Sequence, residues 1–278
     1  MDPTHTSDET RELRFEFGKN WESFVATLNE EKIGEAQRRL VSLLGLSSLK
    51  GISFLDIGCG SGIHSLAALR LGAESLWAID LDPNSVGTTQ AVLARWWPRQ
   101  NHRVERKSVF ELESAPSEQL DIVYSWGVLH HTGDMARAIR AACCAVKPGG
   151  KLAIALYGKT RYCGIWTRIK HWYARATPVQ RKRAETWYVR LFRFYLLLRG
   201  QRLSRHIANY RKKRGMDFYH DVRDWIGGYP YESIRPEELH AIVNPLGLEL
   251  EKQIVKRRSG LFGSGNDEYV FRKHRARE

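Results

Sequence analysis

The run Phe54-Leu55-Asp56-Ile57-Gly58-Cys59-Gly60-Ser61-Gly62 joins an apolar, strand-like segment to a glycine-rich turn. A second apolar run, residues 75–79, ends directly at Asp80. Glycines at alternate positions let the backbone turn tightly and approach a ligand where a Cβ would collide. A carboxylate about twenty residues downstream is placed to accept hydrogen bonds from a ribose. Together the two motifs predict a nucleoside-binding α/β sheet.

The position of the third glycine differs from that of a dinucleotide-binding turn. Such a turn has its third glycine one residue later, where the helix begins and a pyrophosphate is bound. That position is Ile63 in this chain. The pattern Gly58-x-Gly60-x-Gly62 suits a nucleoside that carries an amino-acid tail and no phosphate. In this motif the chain resembles the class I S-adenosylmethionine (SAM) methyltransferases.

Three further segments match that family in order and spacing. Residues 105–109 stand where the family places an adenine contact after its third strand. Residues 120–131 match its fourth strand and the loop that passes the reactive methyl group, and residues 145–157 match the turn into its fifth strand. Because a lone glycine turn is weak evidence, the resemblance rests on these landmarks jointly, over about the middle third of the chain.

Strand and helix patterns alternate from residue 51 onward, which predicts a βαβ series and a mostly parallel sheet. The resemblance implies an α/β, Rossmann-like sheet of seven strands whose last strand is antiparallel. Four regions are predicted: an N-terminal helical cap (1–50) with a break at Gly34, the SAM-binding core (51–157), a helical lid or substrate insertion (158–235), and the C-terminal part of the core (236–278).

The resemblance also implies which residues bind the cofactor SAM. They are the glycine turn and the strand ends around it: Asp56, Gly58, Cys59, Gly60, Gly62, Asp80, Leu81, Ser108, Val109, Ser125 and Trp126. Ser108 departs from the family pattern, because many relatives have an acidic residue there. A serine hydroxyl can still accept a hydrogen bond from the exocyclic amine of adenine.

His130 and His131 follow the fourth strand, at the carboxyl edge where open α/β sheets bind ligands. An imidazole titrates near neutral pH and can accept a proton from a hydroxyl or thiol. We therefore expect His131 to act as a general base or acceptor contact, the alternative being that it only braces its loop. His130 and His220 are the other catalytic candidates.

Residues 220–232 form a dense polar and aromatic cluster with a Gly-Gly pair before Tyr-Pro-Tyr. This composition predicts a constrained loop that forms a wall for the methyl acceptor, or else a plain turn between lid and core. The predicted acceptor-binding residues are Trp21, Asp224, Trp225, Tyr229 and Tyr231.

The net charge of +13 is concentrated in one segment. Residues 159–215 contain 17 Lys and Arg and one acid, Glu185, so the remainder of the chain has a net charge of −3. Within this segment a helical stripe comprises Ala184, Trp187, Tyr188, Leu191, Tyr195 and Leu198. Three interpretations stay open: a lid packed on the core, a surface that contacts anionic membrane headgroups, or a nucleic-acid surface with residues 211–214 on phosphates.

The four cysteines show no metal-site or disulfide spacing, and neither a signal peptide nor a bilayer-spanning apolar run is visible. We therefore expect no bound metal and a cytoplasmic protein, with peripheral contact to the inner face of a membrane as an option.

The predicted function is methyl transfer to a small molecule, at an oxygen of an amphiphilic or aromatic metabolite. The layout is similar to that of the ubiquinone-biosynthesis O-methyltransferases. One alternative is an RNA methyltransferase, and another is a protein that binds SAM without catalysis. Ser125-Trp126-Gly127-Val128 stands where nucleic-acid amino methylases have an Asn/Asp-Pro-Pro-aromatic motif, which disfavours the RNA alternative.

Overall fold

The structure of the protein, a computed structural model, describes residues 25, 28–113, 119–214, 218–256 and 259–275. The side chains of residues 209–214 and 220 are outside this description.

The described residues contain a seven-stranded sheet in the order β3-β2-β1-β4-β5-β7-β6. Strands β1 to β5 pair in parallel, and β7 is antiparallel to both of its neighbours, β5 and β6. The predicted Rossmann-like sheet is thereby confirmed. Its strands are β1 (Ser53–Ile57), β2 (Ser75–Asp80), β3 (His102–Arg106), β4 (Leu120–Trp126), β5 (Val146–Tyr157), β6 (Leu248–Ile254) and β7 (Asn266–Lys273).

Helices cover both faces of the sheet and form the insertion after β5. In chain order they are α1 (Glu30–Leu44), α2 (Ile63–Arg70), α3 (Pro83–Trp96), α4 (Met135–Cys144), α5 (Cys163–Arg175), α6 (Pro178–Leu198), α7 (Leu203–Arg214), α8 (Phe218–Gly227) and α9 (Pro236–Val243). None of the described helices has both the length and the apolar character needed to cross a bilayer.

Two apolar cores lie on opposite faces of the sheet, because successive strand residues point to opposite sides. Leu55 of β1 belongs to a core with residues of α4 and α9, including Ile139 and Leu239. Its neighbour Phe54 belongs to the other core, with residues of α1 and α2 such as Leu40 and Leu66. A parallel sheet buried on both faces favours nearly continuous apolar strands, and residues 52–57 and 75–79 are mostly apolar.

The predicted break at Gly34 is wrong, because α1 runs unbroken through that residue. Asn29 caps the helix by accepting a hydrogen bond from the Lys32 amide at 3.0 Å. Ile33, Ala36 and Leu40 are buried on the same face. Burial of this face outweighs the cost of about 1 kcal/mol of a glycine in a helix.

Helices α5 to α8 pack mainly on one another, around Tyr173, Phe218, Val222 and Ile226. The last three are spaced four residues apart and form one face of α8. Burial of that face explains why residues 218–227 are helical. The predicted loop over residues 220–232 is therefore wrong in its first half, and the chain leaves helical structure only after Gly227.

The core-facing side of α6 is formed by Ala184, Tyr188, Val189, Phe192 and Leu196. Trp187, Leu191 and Leu198 of the predicted stripe are exposed instead. Helical periodicity identified α6 as an amphipathic helix. Apolar residues cover a wide arc of this helix, however, and periodicity alone does not show which part of the arc packs on the core.

Candidate active site

A cavity of about 1580 Å³ opens along the carboxyl edge of the sheet. One end is lined by the turn after β1, the end of β2 and the residues that follow β3. The other end is lined by the loop after β4, the end of β5 and the inward sides of α6 and α8. The sheet thus places the predicted nucleoside motifs and the predicted acceptor region on one continuous wall.

The turn after β1 is a backbone cradle that requires glycine. Gly58 has a φ of 75°, and a Cβ built on it would lie 2.4 Å from a methyl group of Val128. The amide of Gly58 donates a hydrogen bond of 2.7 Å to the carbonyl of Ile79, which ties the turn to the end of β2. Gly58, Cys59 and Gly60, three of the predicted cofactor residues, all line the cavity.

Asp80 links this turn to the end of β2. Its Oδ2 accepts a hydrogen bond of 3.1 Å from the Gly60 amide, and its Oδ1 accepts one of 2.9 Å from the Asp82 amide. Burial raises the pKa of the Asp80 carboxyl above its ordinary value. Each carboxylate oxygen has capacity for a second acceptor bond, so the group can hold the turn and bind ribose hydroxyls together.

Three predicted cofactor residues lie behind this wall rather than on it. Asp56 is buried and accepts a hydrogen bond of 2.6 Å from the Ser65 hydroxyl, while burial raises the pKa of its carboxyl to about 7. Gly62 precedes α2 and packs on Thr89. Ser125 donates a hydrogen bond of 3.0 Å to the Ile57 carbonyl. All three support the cradle and are absent from the cavity lining.

The predicted adenine-side residues Leu81, Ser108 and Val109 line the cavity next to the glycine turn. The Ser108 hydroxyl oxygen accepts a hydrogen bond of 3.3 Å from the Phe110 amide, which leaves its O–H able to donate to a ligand. Trp126 also lines the cavity, and its indole N–H donates to a carboxylate oxygen of Glu268 at 3.3 Å.

The two consecutive histidines occupy different environments. His131 lines the cavity, and its Nδ1 lies 2.6 Å from the Pro230 carbonyl oxygen. His130 is fully buried behind it, with ring centroids 4.4 Å apart and its own ring 3.8 Å from that of Tyr157. Burial, His131 and Lys170 together hold the pKa of His130 well below its ordinary value. Of these two, only His131 faces the cavity.

Aromatic side chains dominate the far end of the cavity. They come from β5, α6, α8 and the segment before β7: Tyr157, Tyr188, Phe192, Phe218, Trp225 and Phe262. The buried indole nitrogen of Trp225 has no hydrogen-bond partner among the described residues. The nitrogen itself is enclosed by protein, so Trp225 contributes ring carbons to the cavity wall.

Of the other predicted acceptor residues that the structure describes, one lines the cavity and two do not. Asp224 lines the cavity beside Trp225. Tyr231 is buried beneath it, where its hydroxyl donates to the sulfur of Cys163 at 3.3 Å, and Tyr229 packs against His171 at 5.3 Å between centroids. Neither tyrosine lines the cavity. Trp21 and the side chain of His220 lie outside the described residues.

Tyr157, Phe192, Phe218 and Phe262 were not among the predicted site residues. Tyr157 could have been identified, because it ends β5 at the carboxyl edge where such sheets bind ligands. The three phenylalanines carry no local motif and reach the cavity only through the packing of the insertion.

The cavity has the features that SAM requires. Gly58 and Gly60 present backbone without a Cβ to the cavity, which admits a close contact, and the carboxylate of Asp80 stands where ribose hydroxyls need an acceptor. The N-terminus of α2 follows the turn and has no side-chain cap, and a helix N-terminus favours a carboxylate such as that of the methionine end. The residues present therefore fit this group.

Comparisons with known proteins agree with the geometry. A model of the methyltransferase domain family matches residues 29–213, more than half of the chain. A ubiquinone biosynthesis O-methyltransferase from Methylobacterium sp. (strain 4-46) is 33% identical over 117 residues, which cover 42% of this chain and 45% of that protein. A ribosomal protein L11 methyltransferase from Photobacterium profundum is 34% identical over 108 residues, which cover 38% and 34%. The chain thus spans less than half the length of these curated relatives.

Solved structures share the fold at low sequence identity. Magnesium protoporphyrin IX methyltransferase from Synechocystis PCC 6803, crystallised with S-adenosylhomocysteine, aligns over 98% of this chain and 90% of its own at a TM-score of 0.51 and 13% identity. An O-methyltransferase family protein from Burkholderia thailandensis aligns over 88% and 58% at a TM-score of 0.53 and 13% identity. The chain belongs to the methyltransferase domain family, with the class I fold and S-adenosyl-L-methionine as its cofactor.

Proposed function

We propose that the protein transfers the methyl group of SAM to an oxygen of a small aromatic or amphiphilic acceptor, with His131 as general base. The observation that carries the proposal is the position of His131 on the cavity wall with Nδ1 held 2.6 Å from the Pro230 carbonyl. A carbonyl oxygen only accepts hydrogen bonds, so Nδ1 carries the proton and the basic lone pair is on Nε2.

SAM supplies a methyl carbon activated by its bond to a positively charged sulfur. As the acceptor oxygen took up that methyl group, His131 Nε2 would accept the hydroxyl proton, and the sulfur would keep the electron pair of the broken carbon–sulfur bond. The protein's main task is to hold the acceptor in line with the methyl group, since proximity can supply about 7–11 kcal/mol of the barrier. General-base catalysis contributes roughly 10²- to 10⁴-fold more.

His130 acts in this proposal as a positioning residue. Its Nδ1 accepts a hydrogen bond of 3.4 Å from the Tyr157 amide, and its carbonyl accepts one of 3.0 Å from the Glu232 amide. These bonds connect the loop after β4 to β5 and to the segment after α8. Because burial holds its pKa well below the ordinary value, the ring stays uncharged and fixes the neighbouring His131 without competing for the proton.

The far end of the cavity favours an acceptor with an aromatic or apolar body. Its aromatic walls offer ring contacts to such a body. The volume of about 1580 Å³ exceeds the roughly 300–1,000 Å³ of a typical single-ligand site. The cavity therefore has room for the cofactor and a sizeable second molecule.

An RNA acceptor receives less support from the same cavity. Asp221, Asp224 and Glu268 all line it, and carboxylates beside the acceptor would repel a phosphodiester backbone. The basic residues of the insertion that are described lie mainly on exposed positions of α5, α6 and α7.

The test uses His131→Asn with methyl-labelled SAM and the small-molecule fraction of a cell extract. The asparagine amide can still donate to the Pro230 carbonyl but lacks the base at the Nε2 position. We expect SAM affinity within twofold of wild type and a loss of about 10²-fold or more in the rate of label transfer. His274→Asn, on an exposed residue that follows β7, is the matched control.

Full activity in His131→Asn would show that the residue only braces its loop. Label that appears in tRNA rather than in small molecules would contradict the proposed acceptor class. If S-adenosylhomocysteine forms neither with the small-molecule fraction nor with tRNA, the protein binds SAM without catalysing methyl transfer.

A further inference from the structure

The outward side of α6 carries a stripe of large apolar side chains. Trp187, Leu191, Phe194 and Leu198 are 60%, 56%, 61% and 72% exposed. At about 100° per residue these positions fall within roughly 60° of arc, and they extend along about 16 Å of the helix. Single apolar residues on a surface are ordinary, whereas a contiguous patch marks a contact surface.

Positive charge borders this stripe. Arg183 and Arg190 fall within about 70° of its centre on the helical projection, and the Arg190 guanidinium lies 5.5 Å from the centroid of the Trp187 ring. Glu185, the one acid in residues 159–215, is on the other side of the helix. There it accepts a hydrogen bond of 2.7 Å from the Tyr173 hydroxyl, and its side chain is 15% exposed.

The inward side of the same helix lines the acceptor end of the cavity, through Tyr188 and Phe192. A single helix therefore stands between that cavity and the exposed stripe. A surface in contact with the stripe would be one helix diameter, about 10–12 Å, from the acceptor site.

We infer that this outer face of α6, formed by Trp187, Leu191, Phe194 and Leu198 and flanked by Arg183 and Arg190, docks on an anionic lipid membrane. The helix lies in the headgroup plane, the apolar stripe enters the acyl boundary, and the arginines contact lipid phosphates. The inference goes beyond the proposed function and does not depend on it.

Two other partners fit the surface less well. A nucleic acid could bind the arginines through its phosphates and stack its bases on the aromatic rings. Leu191 and Leu198, however, make no favourable contact with a phosphate backbone. A second copy of the chain would bring two segments of net charge +16 together, and like charges oppose such a contact.

The test measures co-sedimentation of the full chain with vesicles, without SAM or acceptor. The vesicles contain phosphatidylcholine alone or with about 30% phosphatidylglycerol. We expect binding to the anionic vesicles to be at least tenfold tighter than to the neutral ones and to weaken as salt is raised. Because no turnover is involved, the result stands apart from the fate of the proposed reaction.

Variants separate the apolar and the electrostatic contributions. Trp187→Ser with Leu191→Ser should weaken vesicle binding at least tenfold, and Arg183→Gln with Arg190→Gln should weaken it by roughly fivefold per arginine. Val179→Ser is the matched control, because Val179 is a 62% exposed apolar residue of the same helix that lies off the stripe. Unchanged SAM affinity in every variant checks that the fold is retained.

Vesicle binding that survives loss of the stripe would overturn the inference, as would absence of binding to both vesicle types. Salt-dependent binding of tRNA without vesicle binding would assign the surface to nucleic acid instead. A stripe-dependent dimer in sedimentation, again without vesicle binding, would assign it to a second copy.

Discussion

The two ends of the cavity differ in how the chain builds them. The cofactor end comes from a short stretch of sequence, in which the backbone of residues 58–60 and the carboxylate of Asp80 are joined by one hydrogen bond. The acceptor end is assembled from side chains between Tyr157 and Phe262, more than a hundred residues apart. A site made of backbone tolerates few substitutions, whereas a site made of side chains can vary with its ligand.

The two ends also bury opposite charges. Behind the cofactor turn, burial raises the pKa of the Asp56 carboxyl to about 7. Beneath the acceptor end, burial lowers the pKa of Lys170 to about 7, although Asp224 opposes the shift. The Lys170 ammonium donates to the Trp225 carbonyl and lies 4.1 Å from the centroid of the Trp225 ring. The two regions should therefore respond to pH in opposite directions.

The largest effect is expected from Gly58→Ala, at the backbone-built end. The new Cβ would meet Val128 and would hold a non-glycine residue at a φ of 75°, so the turn must shift. We expect SAM affinity, measured by calorimetry, to fall about 100-fold or more.

Gly87→Ala is the matched control for that change. Gly87 lies within α3, and a Cβ there would meet nothing within 4 Å. We expect unchanged SAM affinity and a gain of about 0.5–1 kcal/mol in the free energy of unfolding. Equal losses of affinity in both variants would contradict the cradle geometry.

Asp80→Asn should weaken SAM binding by about 30-fold. The amide replaces one carboxylate oxygen with a donor, which faces an amide N–H of either Gly60 or Asp82 and cannot accept from ribose. Asp134→Asn, at the N-cap of α4, keeps its capping oxygen and should bind SAM normally. Normal binding by Asp80→Asn would argue that the carboxylate serves only the turn.

Lys170 gives the acceptor end its pH response. Its pKa in the folded protein, about 7, is below the ordinary value of 10.5, so between these values the unfolded chain binds more protons. The free energy of unfolding should therefore rise as pH increases through this window, by about 2 kcal/mol between pH 7 and pH 9.

Chemical denaturation of Lys170→Met should lack that rise, and the exposed Lys182→Met should retain it. Asp56 acts in the opposite sense: stability should fall as pH increases from about 4 to 7. A rise that persists in Lys170→Met would locate the titrating group elsewhere.

Trp225→Phe should have the smallest effect and should separate the two ends of the cavity. It removes one ring of the indole that lines the cavity but keeps an aromatic ring. We expect the KM for the acceptor to rise about fivefold, because less apolar surface is buried against the acceptor, while SAM affinity stays unchanged. Trp172→Phe, on the exposed side of α5, is the control, and an equal effect there would remove Trp225 from the acceptor site.

Sequence patterns predicted the parallel βαβ series correctly, because apolar periodicity and glycine turns are local signals. The antiparallel last strand was implied only by the resemblance to class I methyltransferases. Gly58, Gly60 and Asp80, which the same signals singled out, line the cavity. These signals could not show that Asp56, Gly62 and Ser125 lie behind the cavity wall, since residues of one motif alternate between a ligand side and a supporting side. The predicted region boundaries at residues 50, 157 and 235 stay predictions.

What the sequence by itself determined is the nucleoside end, because tight turns and strand ends depend on residues close together in the chain. Tertiary structure decided the rest. The packing of α5 to α8 selected which aromatic rings enter the cavity and turned Trp187, Leu191 and Leu198 outward. Burial between distant segments depends on how whole helices pack, and no local pattern specifies that arrangement.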